Sequence, residues 1–152
     1  MLEGNTTSEL TNWVTIAEAL LQLSMIVMIG LYFIFSNTIM RVLAKEHDGA
    51  SVMNKINSAI LNPVFLTCFF VSGLASMYFV YFGSGAKALS GLFFFMGTTV
   101  VTVVFNVPLN NKLKAAQKES MASVWAEYLS KWVLWNHCRT AAGIVSGFLM
   151  SL

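Results

Sequence analysis

The chain has 152 residues, of which 57% are apolar and only 11% charged, against roughly 45–50% and 25% in soluble domains. With a mean hydropathy of +0.69 and a net charge of +2, this excludes a soluble globular protein and gives no basic field for nucleic acid. The two cysteines, Cys68 and Cys138, lie in separate apolar runs, which excludes a disulfide framework and a CxxC redox centre.

Residues 1–12 read as a short polar tail with Glu3 and Glu9. The tail holds the sequon Asn5-Thr6-Thr7, which chance in a Thr-rich stretch explains better than glycosylation. A long apolar run then begins at Trp13 and predicts a first helix over about 13–40, enough to cross a bilayer with the roughly 20 residues that takes. Glu18 and Gln22 fall four apart on one face of it. Glu18 reads as an interfacial carboxylate near the helix end rather than a proton carrier, with no basic partner at its depth.

Residues 41–62 form a polar connection with Arg41, Lys45, His47 and a break at Gly49. His47 reads as a loop histidine, and 51–61 as a short amphipathic helix at the interface. Pro63 suits a helix first turn, so a second helix is expected over 63–82. Gly83-Ser84-Gly85 is a tight connection, and a third helix is expected over about 88–107, ending at Pro108. Residues 110–131 are polar and helix-favouring, and a fourth helix is expected over about 125–152. The fold expected is all-α: one integral membrane domain over 1–152, a four-helix bundle of up-down topology with short interfacial helices in the two polar connections.

Seven of the nine basic residues lie in 41–62 and 108–131, and Lys87 alone marks the opposite side. The positive-inside rule puts both polar connections in the cytoplasm and both termini outside.

In such a bundle the ends of helices one and three and the starts of two and four share the cytoplasmic level. Six amides gather there: Asn37, Asn57, Asn62, Asn106, Asn110 and Asn136. An amide donates and accepts without a charge, so a ring of them can line a polar pocket inside a membrane. On helix four, Trp125, Tyr128, Trp132, Asn136, Arg139 and Gly143 follow helical spacing and share one side, flanked by Trp135. His137 points roughly 120° from the centre of that side, at 100° per residue. For any one of these residues, helix glue or a snorkelling arginine is as good a reading as a pocket. For the whole set at one level, a pocket is the better reading. A haem or di-metal bundle is excluded by the single His and the lack of a carboxylate at that level.

Phe105-Asn106-Val107-Pro108-Leu109-Asn110-Asn111-Lys112-Leu113, then Trp125-Ala126-Glu127-Tyr128, then Trp132 to Thr140 with its Trp135-Asn136-His137-Cys138-Arg139 core, resemble the anthrone oxygenase-like family of small four-helix membrane proteins. Phe35-Ser36-Asn37-Thr38-Ile39-Met40 and Ile56-Asn57-Ser58-Ala59-Ile60-Leu61-Asn62-Pro63 extend the resemblance over most of 30–145. It implies oxidation of an anthrone or similar phenolic carbon acid by molecular oxygen, without flavin or haem, while the sequence leaves a bound metal open. It further implies His137 as base, Asn106, Asn136 and Arg139 as donors to the enolate oxygen, and Trp132, Trp135, Tyr128 and Trp125 as a flat slot with the other amides near it. The expected partners are the lipid bilayer, a small apolar aromatic substrate and oxygen, and a homo-oligomer is compatible with the sequence. The alternative is a non-catalytic membrane module that binds a lipid or apolar ligand, or a subunit of a larger complex.

Overall fold

The protein is described here by a computed structural model covering residues 2–152, with side chains from Glu9 onward. Among the described residues there is no strand. The elements are α1 (Leu2–Ile34), α2 (Met40–Leu43), α3 (Gly49–Ile60), α4 (Pro63–Phe82), α5 (Ala86–Phe94), α6 (Val107–Ala115) and α7 (Met121–Met150). Three π-helical segments interrupt the α-helical register, at Phe35–Ile39, Phe95–Val100 and Thr102–Asn106. They join α1 to α2 and α5 to α6 with helical backbone at each junction, so Glu9–Leu43 and Ala86–Ala115 each read as one long rod beside α4 and α7.

Three rods are long and apolar enough to cross a membrane: Glu9–Leu43, Pro63–Phe82 and Ala86–Ala115. The fourth, α7, is 30 residues long, but Glu127, Lys131, Asn136, His137 and Arg139 dilute its apolar character. Four spans of one kind were expected, and α7 differs because it carries the polar interior. The expected N-terminal tail is also corrected, since the backbone is already helical from Leu2; the side chains of the Asn5 sequon lie outside the described residues.

α4 packs against α1 and α5, while α7 packs against α5 and α1. Cross-contacts give the directions. Tyr78 and Lys87, near and beyond the end of α4, bond Glu18 at the middle of α1 at 3.3 and 2.8 Å, while Tyr32 and Phe35 further along that rod share a cavity wall with Phe65 and Phe69 of early α4. Ser90, early in α5, pairs with Ser146, late in α7, through hydroxyl and carbonyl contacts of 2.7–2.9 Å. Neighbouring rods therefore run antiparallel. Glu18 does have a basic partner, Lys87, which reaches it from the first turn of α5.

Small residues set the close approaches. A Cβ on Gly91 would stand 2.4 Å from the Ser76 carbonyl, and one on Gly97 2.3 Å from the Ala142 Cβ. Contacts this near gain packing and hydrogen bonds where, in lipid, no hydrophobic force draws helices together. Two apolar clusters fill the interior. One, around Met25, Met28, Phe79 and Phe94, lies in the half towards the Gly83–Gly85 turn; the other, around Phe35, Met40, Met53, Leu113, Tyr128 and Trp132, lies under the polar connections.

The first connection carries α3, as the amphipathic pattern predicts. α3 packs on α2 and α6, with Asn54 donating to the Leu113 carbonyl at 3.4 Å. Asn62 caps α4 by accepting from the Phe65 amide at 3.1 Å, with Pro63 in the first turn. The third rod does not stop at Pro108 but runs on to Ala115. Proline removes the bond to the carbonyl four residues back, here Val104, and the widened turn Thr102–Asn106 lies directly before it.

Candidate functional site

α7 buries one stripe: Tyr128, Trp132, Asn136, Arg139, Thr140, Gly143 and Ser146. Arg139 is the centre of the site. Only 6% exposed, it donates through Nε to Asn136 Oδ1 at 2.8 Å and through Nη1 to Thr102 Oγ1 at 3.3 Å. Its guanidinium carbon stands 4.4 Å from the Tyr32 ring centroid and 5.0 Å from that of Trp132. Asn136 is itself anchored, donating to the Tyr32 carbonyl at 3.2 Å.

None of the four ion pairs among the described residues includes Arg139. An unpaired buried cation is expensive, and two ring faces at about 2 kcal/mol each when desolvated offset part of that. What remains is a fixed positive charge in a low-dielectric interior, which favours an anion beside it.

That interior holds a cavity of about 380 Å³, within the range of small-molecule sites. Arg139 lines it together with Tyr32, Thr102, Asn106 and Trp132, and with Asn54, Asn57 and Asn110 nearer the polar end. Phe35, Met53, Phe65 and Phe69 make much of the remaining wall. Asn106 spends its Nδ2 on the Trp132 carbonyl at 3.3 Å, which leaves Oδ1 as a bare acceptor. Among the described residues, five buried side-chain polar atoms make no well-formed hydrogen bond: Tyr32 OH, Trp132 Nε1, Asn57 Nδ2, Asn106 Oδ1 and Asn54 Oδ1, although Tyr32 lies close to Thr102 and Asn57 close to Tyr128. All five belong to residues that line the cavity. Such groups are few in natural proteins, and each left unpaired costs about 1–3 kcal/mol. Concentrated on one cavity, they leave it lined with free donors and acceptors.

Behind the wall runs a ladder of rings. Trp125 stacks on Tyr128 at 5.5 Å and Tyr128 on Trp132 at 5.3 Å, while Phe35 meets Trp132 edge-on at 5.8 Å. The Tyr128 hydroxyl donates to Asn110 Oδ1 at 2.8 Å, locking α7 to α6. Tyr128 and Trp125 thus support Trp132 from behind and do not line the cavity. Four other expected positions stand apart. Trp135 is turned away and stacks on Phe105 at 3.7 Å. Asn37 is exposed and bonds only its neighbour Thr38, and Asn62 is spent as the cap of α4. His137 is exposed and its Nδ1 pairs with Ser36 Oγ, off the cavity face, as its angular offset on the helix implies. Asn136 sits behind Arg139 rather than at the cavity wall.

Two members went unnoticed in the sequence, Tyr32 and Thr102. Thr102 had a signal, because stepping back four residues from Asn110 and Asn106 reaches Thr102 and then Thr98 on the same stripe. Both of those threonines are buried. Tyr32 had a weaker one, as the one tyrosine in the first apolar run. Among the described residues no group of three His, Cys, Asp or Glu could hold a metal ion. The cavity wall offers amides, hydroxyls, an indole and two cations, a donor set poorly suited to transition metals.

Comparison with known families matches residues 51–149 to the model of a family described as "Anthrone oxygenase". No curated protein and no solved structure matches the chain.

Proposed function

The chain belongs to the anthrone oxygenase family, and from that premise we propose that it is a membrane oxygenase converting an anthrone or similar phenolic polycyclic carbon acid to the quinone with molecular oxygen. In this reading the four rods are an up-down bundle across the bilayer, with both termini outside and the 41–62 and 108–131 connections in the cytoplasm, as the basic residues place them. The reaction uses no resident flavin or haem.

One observation carries the proposal: an unpaired, buried guanidinium faces a largely apolar cavity ringed by unpartnered donors. An anthrone is a ketone whose ring methylene gives up a proton to form an aromatic enolate. The flat rings fit the apolar part of the cavity, and the ketone oxygen points at Arg139, the Tyr32 hydroxyl and the Trp132 indole N–H. These donors bind the enolate oxygen more tightly than the ketone and so acidify the methylene. The proton leaves to water at the polar rim by Asn111 and Lys114. The carbanion passes one electron to oxygen, and the radical pair combines to form a C–O bond. The resulting peroxide anion takes a proton back from water. The hydroperoxide then loses its remaining C–H proton and splits its O–O bond, the departing hydroxide taking up that proton to give quinone and water. Anthrone plus O2 thus balances anthraquinone plus H2O.

His137 is not the base in this scheme, because it lies outside the cavity on the Ser36 side. Substrate acidity, raised by the donors, takes the place of a protein base.

Purified protein given anthrone under air should form anthraquinone, with one O2 consumed per quinone. Protein that binds anthrone without consuming oxygen would instead be a non-catalytic binding module.

A further inference from the structure

We infer that the substrate enters sideways from the lipid, through a slot between α4 and the third rod, and not from the aqueous end of the cavity. This rests on the cavity being the site for an apolar ring substrate, as proposed above.

The two seams that flank the slot are closed. α4 packs against α5 and the π-helical segment Phe95–Val100, and α3 packs against α6. Between those seams the cavity reaches the surface. On one side its wall is made by Leu66 and Phe70 of α4, on the other by Val103 and Val107 of the third rod. Phe70 is 63% exposed and Val103 53%, although both line the same cavity as the buried Arg139. Apolar side chains exposed at the mouth of a polar-centred cavity are costly in water and cost little in lipid. Phe70 lies seven residues after Pro63, about 10 Å along the axis from the first residue of α4 at 1.5 Å per residue. A 20-residue rod such as α4 matches a hydrocarbon layer about 30 Å thick, so the mouth opens within the acyl region.

Towards the polar connections the wall is supplied by α3, with Met53 only 1% exposed and Asn54 tied to the Leu113 carbonyl. At the top of the slot Ser58, Asn111 and Lys114 give a polar rim. The opening is therefore amphipathic from rim to depth. It suits a ring system dissolved in the leaflet with its phenolic oxygens near the headgroups.

Larger side chains at exposed positions meet no packed neighbour, so they test the route without unfolding the protein. The protein is reconstituted in phosphatidylcholine vesicles and mixed with vesicles carrying anthraquinone, whose arrival near Trp132 is followed by stopped-flow quenching of tryptophan fluorescence. Leu66→Phe with Val103→Phe should slow association and dissociation alike by about tenfold, leaving Kd within about twofold. Ser51→Phe with Lys55→Phe, both exposed on α3 at the polar end and away from the slot, should leave both rates unchanged. The reverse pattern, or slowing by neither pair, overturns lateral entry. Because quenching needs no turnover, the two readings fail separately. Slot-dependent binding by a protein that makes no quinone leaves the route standing and removes the oxygenase. Quinone formation with rates indifferent to the slot does the opposite.

Discussion

Arg139 and Asn106 divide the work of the site between charge and polarity. Arg139 brings a cation that no carboxylate neutralises, and Asn106 brings an acceptor whose amide nitrogen is already committed to the Trp132 carbonyl. Asn106→Leu keeps the volume but removes both roles, leaving the Trp132 carbonyl and the ligand's hydroxyl unmet. Anthrone oxidation in that variant should fall by about 10–10²-fold, at about 1–3 kcal/mol for an unmet buried group, as read by quinone absorbance. His137→Ala should oxidise anthrone at close to the wild-type rate, because its partner is Ser36 on the outer face. A loss of about 10²–10⁴-fold would instead mark it as a general base. The residues that the sequence made legible were those with a helical spacing to argue from: Trp132, Asn136 and Arg139 on α7, Asn106 and Asn110 on the third rod. Tyr32 was not legible, because one hydroxyl in an apolar run has no periodic companion, and its role arises only where α1 meets α7.

The elements show why helix ends were harder to read than helices. Pro108 looked like a terminus, yet the rod passes through it, because widened π-helical turns rephase the backbone just before it. Such turns recur at functional sites, and Thr102–Asn106 here aims both Thr102 and Asn106 at the α7 stripe. α5 depends on glycine where it meets α4. Gly91→Val should destabilise the fold by about 1–3 kcal/mol through overpacking, measured by thermal unfolding in one detergent, since even a Cβ would meet the Ser76 carbonyl at 2.4 Å. At the polar end, Lys112 of α6 and Lys131 of α7 both bond Glu127 and hold its carboxyl down at about 2 from an ordinary 4.5. A depressed folded pKa gives stability that is complete above 4.5 and drains away as pH falls towards 2. The wild type should therefore lose more thermal stability than Glu127→Gln across that interval. Equal losses would show that the Lys112–Glu127–Lys131 bridge contributes nothing to joining α6 and α7.

At the scale of the whole molecule, composition alone pointed to a helical membrane protein, and the three apolar rods agree with it. α7 is the least apolar of the rods, and two of the side chains that dilute its hydropathy are buried against its neighbours. Asn136 at 0% and Arg139 at 6% exposure are interior, not lipid-facing. The orientation rests on basic residues, with Lys112 and Lys114 at one end and the Gly83–Gly85 turn at the other. In intact cells Ser84→Cys should react with an impermeant maleimide, and Lys114→Cys should not. The opposite pattern would invert the topology and put the amide-rich end of the cavity outside.

The central claim is that a buried, unpaired guanidinium drives the oxidation by meeting the charge that develops on the substrate oxygen. Its most direct test is the rate of anthraquinone formation by Arg139→Lys and the wild type, in the same vesicles and with folding matched by circular dichroism. Lysine keeps the charge but loses the planar fork that holds Asn136 and Thr102. The account predicts a fall in kcat of about 10²–10³-fold, the usual loss when one donor to a developing oxyanion is removed. A folded Arg139→Lys protein that oxidises anthrone at the wild-type rate would contradict it.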